Sequence, residues 1–170
     1  MRRIIIAGLF LLSSLYFTSC SSSKNEFLED QINIDENPIS ENELLRLVNE
    51  VRASGTTCGD TYYPPVGELS WNTKLEQAGL NHSQDMLDND FFEHTSSDGR
   101  NLTDRLNEVG YNYSYAGENI AYGYTTENAV INGWLNSQGH CANIMNPNFT
   151  EMGVGRVGNY WTQDFGKPKQ

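Results

Sequence analysis

The sequence predicts an α+β domain in which helices pack against an antiparallel sheet. Early in the chain, Leu44, Leu45, Leu47, Val48 and Val51 recur at helical spacing. Late in the chain, two β-prone segments, Met152–Val157 and Tyr160–Phe165, are separated by Gly158-Asn159 alone, a linker that allows only an antiparallel hairpin. Helices early, strands late and a mixed remainder without internal repeats favour α+β over a parallel, doubly wound sheet.

The chain has 170 residues and room for one domain with a real core. Arg2-Arg3 followed by the apolar run Ile4–Leu12 is too short to span a bilayer and reads as an export leader. Small residues then lead to Cys20, a pattern that resembles a bacterial lipoprotein signal with Cys20 as the lipidated first residue; ordinary secretion is the alternative. This divides the chain into a leader over 1–19, a tether over 20–39 and a domain over 40–170. Several acyl chains on one cysteine exceed the marginal anchoring of a single chain, so the expected partner at this end is a membrane. The expected location is the bacterial cell envelope, periplasmic or cell-surface. Net charge is −11, and −13 once Arg2 and Arg3 leave. Such a chain repels nucleic acid and anionic headgroups.

Apart from Cys20, the cysteines are Cys58 and Cys141. In an exported chain two cysteines usually pair. A bridge between them closes a loop of roughly 80 residues and stabilises by about 4 kcal/mol in the chain-entropy account. Two reactive thiols are the other reading.

Within the domain, Ser40-Glu41-Asn42-Glu43 reads as a capping box opening a helix over 41–53, which Gly55 ends. Thr56–Gly67, with Gly59, Pro64, Pro65 and Gly67, reads as a loop. A second helix runs from near Asn72 to about Asn89, with Leu75, Ala78, Gly79, His82 and Met86 on one face. His82 on that stripe is either a core histidine held by a hydrogen bond or a cleft base or ligand. Ser96-Ser97-Asp98-Gly99 is a turn. Asn101 or Thr103 then caps a short helix through Val109, closed by Gly110. Tyr111–Tyr124 is an aromatic strand region containing Gly117-Glu118-Asn119-Ile120. Thr125 or Thr126 starts a helix carrying Ala129, Val130, Ile131 and Trp134, followed by a turn over Gly139–Met145. Gly153, Gly155 and Gly158 mark close approach of a neighbour or a bulge. Trp71, Trp134 and Trp161 are expected to fill helix–sheet interfaces.

No zinc-protease helix motif, nucleophile elbow, phosphate loop or dinucleotide fingerprint is present. The chemistry-bearing set is His82, His94, Glu118 and His140, which includes every histidine of the chain. His94-Thr95 after Asp85-Met86 and Phe91-Phe92, then Gly117-Glu118-Asn119-Ile120, then Trp134 with Ser137-Gln138-Gly139-His140, then Tyr160-Trp161-Thr162-Gln163-Asp164-Phe165 stand in a fixed order. Together they resemble the CAP superfamily of cysteine-rich secretory, antigen 5 and pathogenesis-related 1 proteins in its bacterial SCP-domain form. The resemblance spans about Glu43 to Gly166 and implies an α-β-α sandwich with a central antiparallel sheet flanked by helices.

It also implies a cleft of two histidines and two acids, which in some members binds a divalent metal. His94 falls on the first histidine and Glu118 on one acid, while Tyr160 stands at the second histidine and Ser137 at the second acid. His140, part of the bacterial pattern, is a further cleft candidate or a cap in its own turn. Converged, His94, Glu118 and His140 suit zinc or another divalent cation with an open position. Converged without metal, they form a hydrogen-bonded polar cluster. Ser137 three residues before His140 invites a nucleophile–base pair with no third member. Asn119 and Gln163 read as structural amides. For function the resemblance implies lipid or sterol binding, interaction with extracellular proteins, or proteolysis. The resulting expectations are a binding module, a metal-assisted hydrolase using His94, Glu118 and His140, or a structural surface module.

Overall fold

A computed structural model of the chain describes residues 38–170. The leader, Cys20 and the tether up to residue 37 lie outside the described residues.

The first helix, α1 (Glu41–Ser54), begins where expected, but its capping box is half formed. Ser40 Oγ accepts from Glu43 N, whereas Glu43 turns its carboxylate to Arg46. The amide of Ser40 donates instead to Glu127 Oε1 at 2.8 Å, a residue distant in sequence. Local capping chemistry thus yields to a tertiary contact. The segment expected as a plain loop folds into a hairpin, β1 (Thr56–Cys58) with β2 (Thr61–Tyr63). Its β-prone threonines and tyrosines pair across Gly59, whose φ of +58° makes the turn. A short strand β3 (Ser70–Trp71) precedes α2 (Thr73–Asn89), capped by Asn72. Asn101 caps α3 (Leu102–Glu108) with a complete capping box through Asp104. Next come β4 (Tyr113–Tyr122) and α4 (Glu127–Leu135), capped by Thr126.

Where a turn was expected over Gly139–Met145, a helix forms, α5 (Gln138–Ile144). Cys141, Ile144 and Met145 are fully buried on one side of it, and the disulfide Cys58–Cys141 ties it to the β1–β2 hairpin. Tertiary burial, rather than the weak propensity of Gly and Asn, makes this helix. The chain ends in the expected hairpin of β5 (Glu151–Val157) and β6 (Tyr160–Pro168), turned at Gly158 (φ +57°).

Among the described residues the main sheet has the order β3-β5-β6-β4. β5, β6 and β4 are antiparallel, and β3 joins β5 in parallel. One face carries Met152, Val154, Trp161, Phe165 and Ala121, packed in a core with Leu44 and Val48 of α1, Trp134 of α4 and Ile144 of α5. The other face lies against α2 and α3. There Gly153 and Gly155 admit the helix so closely that added Cβ atoms would stand 2.1 Å from Glu76 N and 2.0 Å from Leu80 N. Close approach is therefore their role. Ser83 of α2 binds Gly155 O and Thr162 Oγ1 across the same contact. Helices on both faces make the α-β-α sandwich, with β4 at one edge.

That edge is covered by side chains of the opposite layer. Trp134 Nε1 donates to Ile120 O at 3.2 Å, and Asn143 Nδ2 donates to Glu118 O at 3.1 Å. Unpaired strand groups are thereby satisfied. Trp134 and Trp161 are buried as expected, while Trp71 stays partly exposed and donates to Glu76. Arg52 is buried and, among the described residues, has no carboxylate partner, donating instead to the carbonyls of Gly67, Ile144, Asn146 and Phe149.

Candidate functional site

The site begins where α2 stops. Asp90 takes the left-handed conformation (φ 51°) and sends Phe91–Gly99 out of the helix. Buried side chains hold that segment from below. His82 is fully buried on α2, and its Nε2 lies 2.9 Å from Glu93 O. A carbonyl only accepts, so Nε2 carries the proton and Nδ1 accepts from Ser96 Oγ at 3.3 Å. Both ring nitrogens are used, burial lowers the imidazole pKa, and His82 is the neutral core histidine of the blander expectation. Asp85 accepts from the amide and hydroxyl of Ser97. Arg105 of α3 reaches the same segment, its Nη1 donating to His94 O at 3.0 Å and Ser96 Oγ at 3.2 Å.

Strand alternation turns Glu118 of β4 toward this layer. Its Oε1 meets His94 Nδ1 at 2.7 Å and its Oε2 meets Arg105 Nη2 at 2.5 Å. The Glu118 and Arg105 side chains are 4% and 2% exposed, so this is a buried charge pair whose loss on either side would strand the other. Burial pushes the Glu118 carboxyl up, but the His94 hydrogen bond and the charge of Arg105 lead the effects that outweigh it and hold the group below its ordinary value. The hydrogen bond to Glu118 raises His94 against partial burial. With an ionised carboxylate at Nδ1, neutral His94 keeps its proton there and leaves Nε2 as the free ring nitrogen. The ring is 59% exposed, the solvent-facing end of a buried network.

Asp164 stands directly across from Glu118 on β6. It is fully buried, and among the described residues neither oxygen has a partner in hydrogen-bonding geometry. Burial first, then the charge of the neighbouring Glu118 and the close approach of its carboxylate, opposed by Arg105, push it well above the usual carboxylate range.

His140 enters from the other layer, on α5. It shares with His94 an open cleft of about 490 Å³ lined by Phe92, Glu93, Thr95 and Ile120. Burial and the charge of His94 both lower its pKa. Phe92, Ile120 and His140 also line an adjoining hollow of about 310 Å³ that reaches Tyr122, Tyr124, Trp134 and Ser137. Phe92 and Tyr122 remain 47% and 54% exposed there, with ring centroids 6.3 Å apart. The result is a groove along the β4 edge, polar at the histidines and aromatic beyond them.

The expected residues are therefore only partly brought together. His94 and Glu118 are in contact, His140 faces His94 across the cleft, and His82 lies beneath. Tyr160 is buried against Tyr122 at 4.8 Å between centroids, a packing residue where a second histidine would stand. Ser137 is the N-cap residue of α5 and, among the described residues, makes no hydrogen bond to His140. Asn119 and Gln163 are structural as expected: Asn119 Nδ2 donates to Gln163 Oε1 and His140 O, and Asn143 donates to Asn119.

The donor set does not fit a zinc centre. Among the described residues no group of three His, Cys, Asp or Glu side chains is placed to hold a metal ion. Both Glu118 oxygens are engaged, one by a guanidinium that repels a second cation. The zinc arrangement of His94, Glu118 and His140 expected from sequence is thus not formed, because Arg105 already stands at the carboxylate.

Arg105 and Asp164 are the site residues that sequence reading passed over. Each carried a signal: Arg105 is a charge beside Leu106 on a short helix, and Asp164 is an acid between Trp161 and Phe165 in a strand of buried residues.

A helix–sheet–helix sandwich with a His–Glu cleft at one sheet edge defines an SCP-type domain. The chain belongs to the CAP, or cysteine-rich secretory protein, family, whose profile matches residues 45–165. An extracellular protein containing an SCP domain from Bacillus anthracis str. Ames is 33% identical, with a TM-score of 0.66 over 74% of this chain and 39% of that one. The Bacillus subtilis (strain 168) protein named uncharacterized membrane protein YlbC is 37% identical over 126 residues, covering 74% of this chain and 34% of its own length. An outer surface protein from Borrelia burgdorferi shares the fold at 21% identity, with a TM-score of 0.61 over 75% of this chain and 89% of that one. The chain spans roughly a third of the length of the curated relatives it matches, 34% and 38%. Among the described residues no helix is long and apolar enough to cross a membrane.

Proposed function

We propose that this protein is an extracytoplasmic CAP-domain binding module, held on the bacterial envelope through a lipidated Cys20. Its ligand site is the groove along the β4 edge. The observation that carries this reading is the continuity of that groove: exposed Phe92 and Tyr122 offer apolar faces, and His94 and His140 offer polar contacts at one end. Half-exposed aromatic side chains in a concave surface are what a ligand with an apolar body buries, and a few polar groups then orient it. A lipid or an apolar segment of an extracellular protein has that chemistry. Beside His94 there is no partnered nucleophile among the described residues, so recognition accounts for the arrangement better than turnover.

The test is titration with a fluorescent long-chain fatty acid, comparing the native protein with the double variant Phe92→Ser/Tyr122→Ser. Saturable binding weakened at least about tenfold, roughly 1.4 kcal/mol, supports the groove as the site. Casein or ester turnover abolished by His94→Ala would replace this reading with a hydrolase. For the anchor, mass spectrometry of the mature N-terminus is expected to find an acylated Cys20, and Cys20→Ser to release the protein from membranes. An unmodified cysteine overturns the anchor.

A further inference from the structure

We propose that the Arg105 guanidinium is the fixed cation of this cleft, standing where a divalent metal would act and positioning His94 in a metal-independent site. The positioning role rests on the cleft reading above; the metal independence does not.

The geometry is that of one group holding both supports of His94. Through Nη2, Arg105 binds Glu118 Oε2 at 2.5 Å, the carboxylate whose other oxygen orients the imidazole. Through Nη1, it binds the carbonyl of His94 itself at 3.0 Å and Ser96 Oγ at 3.2 Å. Ring and backbone of His94 are thus referred to the same planar fork. A metal bound to Glu118 would have to displace either the imidazole at Oε1 or the guanidinium at Oε2, and would bring positive charge against a cation 2% exposed. A guanidinium does not lose its proton in a protein, so unlike a metal it is neither chelated nor released by acid.

The carboxyl groups agree with this charge count. Glu118 and Asp164 face each other on one side of the sheet, and one buried guanidinium serves them. A single ionised carboxylate balances it, in keeping with the fully buried Asp164 facing Glu118 across the strands, where burial and that neighbouring charge disfavour a second ionised carboxyl. Two ionised carboxyls would have called for a further cation. The positions that resemblance would fill with a second histidine and a second acid hold Tyr160, buried against Tyr122, and Ser137, at the start of α5.

The experiment is nuclear magnetic resonance of the full chain with nitrogen-labelled histidine, reading the His94 tautomer while zinc chloride or EDTA is added in excess. At a pH above the raised His94 pKa, His94 of the native protein is expected as the Nδ1–H form, with signals unmoved by either reagent. Arg105→Met frees the Glu118 carboxylate, so His94 loses its single tautomer and zinc binding at the site strengthens at least about tenfold, visible as a zinc-dependent His94 shift. Arg105→Lys keeps the charge and is expected to fold and stay indifferent to zinc. Should Arg105→Met fail to fold, the native and lysine proteins decide the matter. Zinc moving His94 in either of these overturns the proposal. So does a folded Arg105→Met that keeps the native tautomer and ignores zinc.

Discussion

Replacing Gly155 with alanine tests whether the closeness of α2 and β5 holds the sandwich together. An added Cβ would stand 2.0 Å from Leu80 N and 2.3 Å from both Gly79 C and Leu80 Cα. Comfortable carbon contacts need about 3.5 Å or more, so α2 must retreat by roughly 1–1.5 Å along the contact. The obstacle is helix backbone, not a side chain that can swing aside. Overpacking costs about 1–3 kcal/mol where neighbours can adjust, and here the upper end applies, about 3 kcal/mol. For a domain of this size that corresponds to a melting temperature lower by roughly 10 °C. The assay is thermal unfolding followed by circular dichroism, with Gly139→Ala as the control. Gly139 lies inside α5, and among the described residues nothing stands within 4 Å of where its Cβ would be. Its alanine variant is expected to match the native protein or exceed it by up to about 1 kcal/mol. If both variants melt together, the glycine contact does not set the spacing of the layers.

Three further outcomes are expected. Cys58→Ser/Cys141→Ser, which opens a bridge between residues 83 apart, should cost about 4 kcal/mol, read as a lower denaturation midpoint in urea; a cost under about 1 kcal/mol refutes the account of α5 as clamped by the bridge. Arg52→Met leaves the carbonyls of Gly67, Ile144, Asn146 and Phe149 without their donor and should destabilise by about 2–4 kcal/mol. An unchanged melting temperature would show that solvent serves those carbonyls as well. Glu118→Gln should bring the His94 pKa down toward its ordinary 6.5. The folded His94 pKa lies above its unfolded value, so its contribution is complete below pH 6.5 and fades as pH rises through the folded value. Glu118 is depressed, so its contribution is complete above pH 4.5 and is lost as pH falls through the folded value. The stability gap between native and Glu118→Gln proteins should therefore be widest between those two values and narrow on either side. A gap that widens steadily toward alkaline pH contradicts the pairing.

The fold was legible because most of its elements are specified locally. The apolar stripe of Leu44, Leu45, Val48 and Val51 has one periodicity, Asn72 and Asn101 cap the helices that follow them, and a Gly158-Asn159 linker permits only a hairpin. Where the sequence misled, a long-range contact had overridden a local preference: Ser40 bonds Glu127 rather than completing its box with Glu43, and α5 forms under the Cys58–Cys141 bridge where its composition reads as a turn. The site divides along the same line. Contact between His94 and Glu118 could be expected from the order of the motifs, and neutral, buried His82 from its place on an apolar face.

What the residues alone determined is the inventory: a small set of histidines, a pair of bridging cysteines, glycines spaced to admit a helix, and the order of motifs that marks the family. Only the tertiary structure decided how the charges are matched. Arg105 reaches Glu118 from a helix 13 positions earlier, and Asp164 reaches it from across the sheet. Neither approach has a periodicity or spacing in the sequence, because cross-strand register and layer packing bring them together. Coulomb interactions depend on distance in space, and a buried carboxylate answers to the cation beside it wherever in the chain that cation began.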